Sequence, residues 1–190
     1  KTKGANMEEY TRCSWVNPKD PYSIQYHDIE WGIPVHSDQK LFEMLILECF
    51  QAGLSWVCIL HKREAFRRAF DEFNPEIIAN YPASKVEQLL QDPGIVRNRR
   101  KIAAAIVNAK MFLSIQKEWT SFDRYLWHFT DGKIIFETGK ASSPLSDLIS
   151  RDLQKRGMKF VGTVIIYSYL QAVGIINSHE DGCHFQTQPQ

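Results

Sequence analysis

A single glutamate inside an apolar stretch of the sequence is placed where it could do chemistry. Glu48 ends the segment 41–48 and falls on the same helical face as Leu41 and Met44. An acidic side chain on an apolar face needs a partner or a function, because an unpaired buried charge is unfavourable. The alternative is that Glu48 reaches solvent at the end of its helix.

Aromatic residues are concentrated around this glutamate in the sequence. Trp15, Tyr22, Tyr26 and Trp31 precede it, and Trp56 follows it. Aromatic clusters belong more often to a core than to a ligand cage. The pattern therefore leaves two interpretations open, an aromatic core and an aromatic pocket with a carboxylate on its wall.

Two cysteines and two histidines lie near the two ends of the chain. Cys13 and His27 are close to the start, whereas His179 and Cys183 are close to the end. Two thiolates and two imidazoles are a tetrahedral zinc set, and four protein ligands would make the zinc structural. Spacing alone does not pair segments about 150 residues apart, so four unrelated residues are the alternative. Competing ligands are His184 and, less favourably, Glu180 and Asp181.

A basic hairpin between two predicted helices is a candidate contact for a phosphate backbone. Ser84 and Glu87 indicate a capping box that starts the first helix, and Pro93-Gly94 ends it. The second helix has apolar residues at helical spacing from Ile102 onward. Backbone N–H groups at a helix start, flanked by cations, suit phosphate. The cations are Arg97, Arg99, Arg100 and Lys101. The alternative is an ordinary solvated basic face.

Helix signals extend over most of the remaining sequence and must position these residues. They cover 38–52 closed by Gly53, 55–70 capped by Ser55, a short helix from Pro75, 121–129, 143–157, and 162–172 with Gly174 as its C-cap. Residues 134–138 are expected to be briefly extended. The segment 162–172 has β-branched residues, but we predict helix because the sequence offers no partner strands. The fold class is therefore all-α, with about eight helices.

Length and composition indicate one domain without a global charge. The chain has 190 residues and a formal net charge of +1, so any nucleic-acid binding must come from a local patch. No apolar run reaches the length of a membrane span, and no signal peptide opens the chain. We expect a monomeric cytoplasmic protein. Residues 1–8 are expected to be an expression remnant and flexible N-terminus, 9–185 a single domain and 186–190 a flexible tail.

Several motifs occurring in one order make the chain resemble the bacterial 3-methyladenine DNA glycosylase I family. The matching stretches are 12–15, 26–32, Leu47-Glu48, 51–56, 94–97 with Lys101, 159–163, Tyr167-Ser168 and 179–183. The resemblance covers about Glu9 to Cys183. It departs from the family at Ser23, where a pocket tyrosine is common, and at the bulkier pair Cys49-Phe50.

The resemblance implies a helix-hairpin-helix DNA glycosylase fold with a zinc site joining the N- and C-terminal segments. The implied zinc ligands are Cys13, His27, His179 and Cys183. The implied base pocket contains Tyr26 and Glu48 as polar contacts, Trp56 as the stacking ring, and Trp15, Trp31 and Ser168 nearby. The implied DNA contacts are Leu54 as a wedge and Gly94, Ile95, Arg97 and Lys101. The basic hairpin adds Arg99 as an expected DNA contact. The implied partner is alkylated double-stranded DNA.

The implied reaction is flipping and hydrolytic excision of 3-methyladenine, with the free base and an abasic site as products. Methylation at N3 makes adenine cationic, so the base leaves as a neutral species without a strong general acid. A carboxylate at Glu48 accepts a hydrogen bond from the 6-amino group and would repel the O6 of 7-methylguanine. Glu48 is also the candidate for activating water, beside a largely binding-driven mechanism.

The sequence lacks the Gly-Pro-Asp context in which many glycosylases of this superfamily carry a catalytic aspartate. Asp123 and Asp131 are the nearest candidates and are expected at the surface. We therefore expect a monofunctional enzyme. One alternative is a non-catalytic alkylation-damage-binding protein of the same fold. Another is a structural zinc domain that binds DNA through the hairpin, which leaves the glutamate among aromatics unexplained.

Overall fold

The structure of this chain is a computed structural model that describes residues 10–186. That range contains nine α-helices, two 3₁₀ turns and two short strands. The helices are α1 Pro21–Ile29, α2 Asp38–Gln51, α3 Trp56–Ala69, α4 Pro75–Ile78, α5 Ala83–Gln91, α6 Arg99–Trp119, α7 Phe122–Trp127, α8 Pro144–Arg156 and α9 Thr163–Ala172. The 3₁₀ turns are Asp71–Phe73 and His128–Thr130, and the strands are β1 Ile135–Phe136 and β2 Ile176–Asn177.

The prediction of a mostly helical fold is confirmed. The expectations for residues 1–8 and for a tail from 186 fall outside the described residues, apart from Gln186. The boundaries 9–185 for a single domain stay a prediction. Among the helices of residues 10–186, none combines the length and the apolar character needed to cross a bilayer.

Helix α2 lies at the centre of the fold. Ten consecutive residues from Leu41 to Phe50 are buried, which is typical of a helix covered on all sides. The helices that contact α2 are α3, α6, α7 and α9. At its start, the Asp38 carboxylate accepts hydrogen bonds from the backbone N–H groups of Phe122 and Asp123, so one side chain also fixes the start of α7. The far end of α2 carries Glu48.

Most predicted helix ends are found where the sequence indicates them. Ser55 caps α3 through the N–H of Cys58, and Ser143 caps α8. Gly157 and Gly174 follow α8 and α9 with φ angles of +106° and +74°, the left-handed conformation that favours glycine at this position.

The predicted capping box at Ser84 and Glu87 is wrong. Helix α5 begins at Ala83 after Pro82, whose side chain cannot cap it. Proline at this point fixes the backbone angle and starts the helix before Ser84 is reached. Glu87 instead forms an ion pair with Arg99, at 2.7 Å between Oε1 and Nη1.

Two elements differ from the sequence prediction. Helix α1 was not predicted, although Asp20 accepts from the N–H of Tyr22 as an N-cap and Pro21 follows it. The statement that the sequence offers no partner strands is also wrong, because β1 pairs in parallel with β2. Two-residue strands carry too little pattern to be recognised in sequence. This pairing brings the segment 134–138 beside the residues that precede His179.

Helix α9 is followed by a glycine that a larger residue cannot replace. A Cβ at Gly174 would lie 2.2 Å from the carbonyl carbon of Ile33 and 2.3 Å from the nitrogen of Pro34. Both are backbone atoms, and the 32–35 segment is held there because the N–H of Val35 donates to the carbonyl of Val173. Neither side can move without losing this contact.

We therefore expect Gly174→Ala to lower the free energy of unfolding by about 3 kcal/mol or more, from overpacking together with backbone strain. Urea denaturation is the measurement. Gly132→Ala is the control, because Gly132 has a φ of +72° but nothing within 4 Å of a Cβ. Equal losses in the two variants would contradict the argument from close packing.

Candidate base-binding pocket and metal centre

An aromatic cavity of about 290 Å³ opens between α1, the end of α2, the start of α3 and α9. The six residues assigned to a pocket by resemblance all line it: Trp15, Tyr26, Trp31, Glu48, Trp56 and Ser168. The cavity is also lined by Gln51, Gly139, Gln171, Ser178 and Glu180, which were not predicted as pocket residues. Gln51 and Glu180 fall within stretches that carry the resemblance, whereas Gly139, Gln171 and Ser178 had no signal in the sequence.

The aromatic rings of the pocket contact one another at inclined angles. The rings of Trp15 and Trp31 have centroids 4.9 Å apart at 74°. Those of Tyr26 and Trp56 are 5.2 Å apart at 51°. Such mutual contacts fix the ring orientations. The result is an ordered wall rather than a set of mobile side chains.

Two glutamates of α2 are buried, and their surroundings differ. Glu43 pairs with Arg67, at 2.7 Å between Oε1 and Nη2, and with Lys40. Glu48 is 3% exposed and has no hydrogen-bond partner among the described residues. Burial raises the pKa of Glu48 to about 8. An unpaired acid of this kind, inside a cavity, is a feature of functional sites.

Two further groups of the pocket are poised to donate hydrogen bonds. Burial raises the pKa of Tyr26 well above its ordinary value, so its hydroxyl keeps its proton. The indole N–H of Trp56 is buried without a partner among the described residues. Leaving such a donor unpaired costs about 1–3 kcal/mol, so a polar ligand in the pocket would be favoured.

Four buried side chains from the two ends of the described chain meet at one point. The ligand atoms of Cys13, His27, His179 and Cys183 all lie within 4.8 Å of one another. Cys183 Sγ lies 3.5 Å from His27 Nε2 and 3.6 Å from His179 Nδ1, and Cys13 Sγ lies 3.6 Å from His179 Nδ1. A tetrahedral site with Zn–S near 2.3 Å and Zn–N near 2.0–2.1 Å requires an S···N separation of about 3.6 Å. The four residues could therefore hold a metal ion.

Both histidines are oriented by contacts to their second ring nitrogen. His27 Nδ1 lies 2.8 Å from the Asp28 carboxylate, which Arg12 holds with a contact of 2.7 Å. His179 Nε2 lies 3.3 Å from the carbonyl of Trp31. These contacts leave His27 Nε2 and His179 Nδ1 facing the cluster, as in many metal sites.

The competing ligands are not part of the cluster. His184 stacks on Tyr10 with centroids 4.1 Å apart. The Glu180 carboxylate accepts from both the N–H and the hydroxyl of Ser14. Asp181 is exposed and accepts from Gln186.

The hairpin between α5 and α6 packs against α3. Ile95 is buried, and a Cβ at Gly94 would lie 2.9 Å from the Cβ of Ala65. Arg97 and Arg100 are exposed. The two residues Gly94 and Ile95 therefore shape the turn, while the arginines face solvent.

The structure redirects the roles of two cations that were predicted to contact DNA. Lys101 is 7% exposed, and its ammonium donates to the carbonyls of Phe50 and Ala52. Its ammonium is engaged inside the protein, and the expected contact of Lys101 with DNA stays a prediction. Arg99 is exposed but already paired with Glu87.

The departures at Ser23, Cys49 and Phe50 leave the cavity intact. Ser23 is buried, and its hydroxyl accepts from the N–H of Asn17. Tyr22 lies beside His61, outside the cavity. Cys49 and Phe50 are buried in the core. Asp123 pairs with His36, and Asp131 lies in an exposed turn, so neither lines the pocket.

Fold and site together define a helical protein with an aromatic cavity, a buried acid on its wall and a Cys₂His₂ cluster next to it. A family model for methyladenine glycosylase matches residues 15–187. The chain belongs to this family.

Curated relatives and solved structures agree with this family. The chain is 45% identical over 179 residues to DNA-3-methyladenine glycosylase 1 of Escherichia coli (strain K12), covering 90% of this chain and 95% of that protein. It is 38% identical over 183 residues to DNA-3-methyladenine glycosylase of Haemophilus influenzae, covering 93% and 98%. A crystal structure of a 3-methyladenine DNA glycosylase I has a TM-score of 0.89 at 45% identity, covering 93% and 100%. A variant of 3-methyladenine DNA glycosylase I in complex with 3-methyladenine has a TM-score of 0.87 at 34% identity, covering 90% and 96%.

The raised pKa of Glu48 makes the stability of the empty protein depend on pH. Below pH 4.5 the carboxyl is protonated in both the folded and the unfolded state. Between pH 4.5 and about 8 only the folded state keeps the proton. The contribution of Glu48 to stability is therefore lost as the pH rises through this window.

We expect Glu48→Gln, which cannot ionise, to be more stable than the unchanged protein at pH 9. Between pH 5 and pH 9 the difference in free energy of unfolding between the two proteins should shift by a few kcal/mol in favour of the variant. Urea denaturation at both pH values is the measurement. Glu76→Gln is the control, because it makes the same substitution at an exposed helix start outside the cavity. A Glu48→Gln difference that is the same at pH 5 and pH 9 would show that Glu48 is not buried unpaired.

Proposed function

We propose that this chain is a DNA glycosylase that flips 3-methyladenine out of alkylated DNA and hydrolyses its glycosidic bond. The observation that carries the proposal is an unpaired buried acid on the wall of a cavity lined by indole and phenol rings. The names of the relatives and a related structure with 3-methyladenine bound support the substrate.

Pocket chemistry favours a cationic, planar base. The indole of Trp56 stacks on the flipped ring, and an electron-rich face attracts a cation. A positive charge beside Glu48 lowers the pKa of its carboxyl from the raised value, so the acid ionises as the cationic base enters. The carboxylate then accepts from the 6-amino group and holds the charge close to the ring.

The same contact selects between damaged bases. 7-Methylguanine presents an O6 acceptor where adenine presents an amino donor, and two acceptors facing each other repel. Glu48 therefore excludes 7-methylguanine while it attracts 3-methyladenine.

Glu48 is the candidate for a group that assists attack by water. Among the residues that line the pocket, the carboxylates are Glu48 and Glu180, and Glu180 is engaged with Ser14. The bond to a cationic base breaks with the base leaving as a neutral species. A monofunctional enzyme that relies largely on binding the lesion in this pocket is consistent with these residues.

Duplex DNA would meet the protein at one face. Leu54 is 39% exposed on the turn between α2 and α3 and would fill the gap left by the flipped base. The α5–α6 segment would act as a helix-hairpin-helix motif, with Arg97 and Arg100 near the phosphates. Arg99 would contribute only by exchanging Glu87 for a phosphate.

The metal of the Cys₂His₂ cluster is proposed to be zinc in a structural role. All four coordination positions come from the protein, so no position is left open for substrate. The ion would fasten the N-terminal segment to the C-terminal one.

Release of bases from methylated duplex DNA, separated by chromatography, tests the proposed function. We expect release of 3-methyladenine and almost none of 7-methylguanine, because only the adenine amino group pairs with Glu48. Release of both bases would retain the enzyme class and refute the selective role of Glu48. No release from folded protein would favour the non-catalytic damage-binding alternative.

Metal analysis tests the structural zinc. We expect about one zinc per chain in protein purified without chelator, and loss of zinc with a lower melting temperature in Cys183→Ser. Cys58→Ser is the control, because Cys58 lies outside the cluster and should keep the metal. Protein with an intact fold and no bound zinc would refute the proposal.

A further inference from the structure

We propose that Lys101 is a positioning residue, which holds the turn that carries Leu54 in the geometry needed to enter a DNA duplex. The inference rests on the proposed function. In this role Lys101 makes contacts inside the protein instead of binding a phosphate. It acts in the step in which the base leaves the DNA double helix.

The turn that carries Leu54 has little packing of its own. Gly53 has a φ of +78°, and nothing lies within 4 Å of a Cβ built on it. Leu54 is 39% exposed. A turn without apolar support must be fixed by its hydrogen bonds, since neighbouring side chains do not confine it.

The hydrogen bonds that fix this turn come from Lys101 and Gln51. Lys101 Nζ lies 2.7 Å from the carbonyl oxygen of Phe50 and 2.6 Å from that of Ala52. Gln51 Nε2 donates to the carbonyl of Leu54 at 2.6 Å. The last carbonyls of a helix lack partners within the helix and attract a cation. The ammonium of Lys101 provides both a hydrogen-bond donor and a positive charge at the end of α2.

A second lysine connects α3 to the hairpin, whereas Lys101 connects α6 to the turn that carries Leu54. Lys62 on α3 lies 3.1 Å from the carbonyl of Pro93 and 3.4 Å from that of Gly94 in the hairpin. Helix α6 begins at the hairpin and holds the Leu54 turn, while α3 begins at that turn and holds the hairpin. The two segments that face DNA are thereby fixed to each other.

The position of Lys101 argues against a direct contact with phosphate. Its side chain is buried, and two of its three donors point at carbonyls inside the protein. Moving the ammonium to a phosphate would leave both carbonyls without this partner. Burial also lowers the pKa of Lys101, as expected for a cation withdrawn from water.

A double-mutant cycle with Lys101→Met and Leu54→Ala tests the inference, with single-turnover release of 3-methyladenine from duplex DNA as the readout. We expect Lys101→Met alone to slow release by roughly tenfold, because small misplacements of a positioned group have effects of this size. In the Leu54→Ala background the same change should have less than a twofold effect, since the wedge that Lys101 positions is already absent. Equal effects in both backgrounds would overturn the inference.

Two further readouts separate positioning from other roles. The salt dependence of binding to undamaged duplex should keep its slope, whereas loss of a phosphate contact would reduce the slope by about one and overturn the inference. Affinity for free 3-methyladenine should stay unchanged, and its loss would show that Lys101 supports the pocket or the fold instead. Lys110→Met, an exposed lysine on the same helix, controls for the lost charge and should release the base at the unchanged rate.

If Lys101→Met does not fold, Lys101→Gln carries the same cycle, because its amide can still donate to one of the two carbonyls. If the protein without substitutions releases no 3-methyladenine, that result would instead refute the function on which the inference rests. An additive cycle in an active protein would refute the inference alone.

Discussion

The burial of ten consecutive residues of helix α2, from Leu41 to Phe50, is the constraint on which the rest of the structure depends. Helices α3, α6, α7 and α9 all contact it, so the fold is arranged around one buried apolar helix. A polar side chain on such a buried helix must be paired or must face a cavity. Glu43 is paired by Arg67, and Glu48 faces the cavity. The same low-polarity surroundings that stabilise the helix raise the pKa of Glu48, so its carboxyl keeps its proton while no positive charge lies beside it.

Helix α1 connects the cavity to the Cys₂His₂ cluster. Two adjacent residues of α1 belong to the two sites: Tyr26 lines the cavity, and His27 is part of the Cys₂His₂ cluster. Trp31, just beyond the helix, lines the cavity with its ring and accepts from His179 with its carbonyl. Joining the two ends of the chain therefore also orders one wall of the cavity. The rigidity of the wall matters because a flipped base must be stacked and recognised in a fixed orientation.

Sequence patterns predicted the long elements well, because helical periodicity and terminal glycines act over neighbouring residues. They failed where a distant contact decided the outcome. Glu87 pairs with Arg99 across the hairpin instead of capping its own helix. The strands β1 and β2 exist because residues about 40 positions apart meet, and the burial of Lys101 against the end of α2 is invisible in the hairpin sequence. The members of the pocket came from a family resemblance, because aromatic composition alone favours a core over a ligand cage.

By itself, the sequence determined the helical class, the helix ends at residues such as Gly157 and Gly174, and the supply of chemical groups: one acid on an apolar face, several indoles, two thiols and two imidazoles. The tertiary structure alone decided which of these meet. It brings Cys13 to His179 across 166 positions. It gives Glu43 a partner and leaves Glu48 without one within residues 10–186, and it places Gln171 and Ser178 on the cavity wall. Local patterns report the conformation of adjacent residues, whereas pairing, burial and pKa depend on neighbours in space that the linear order does not specify.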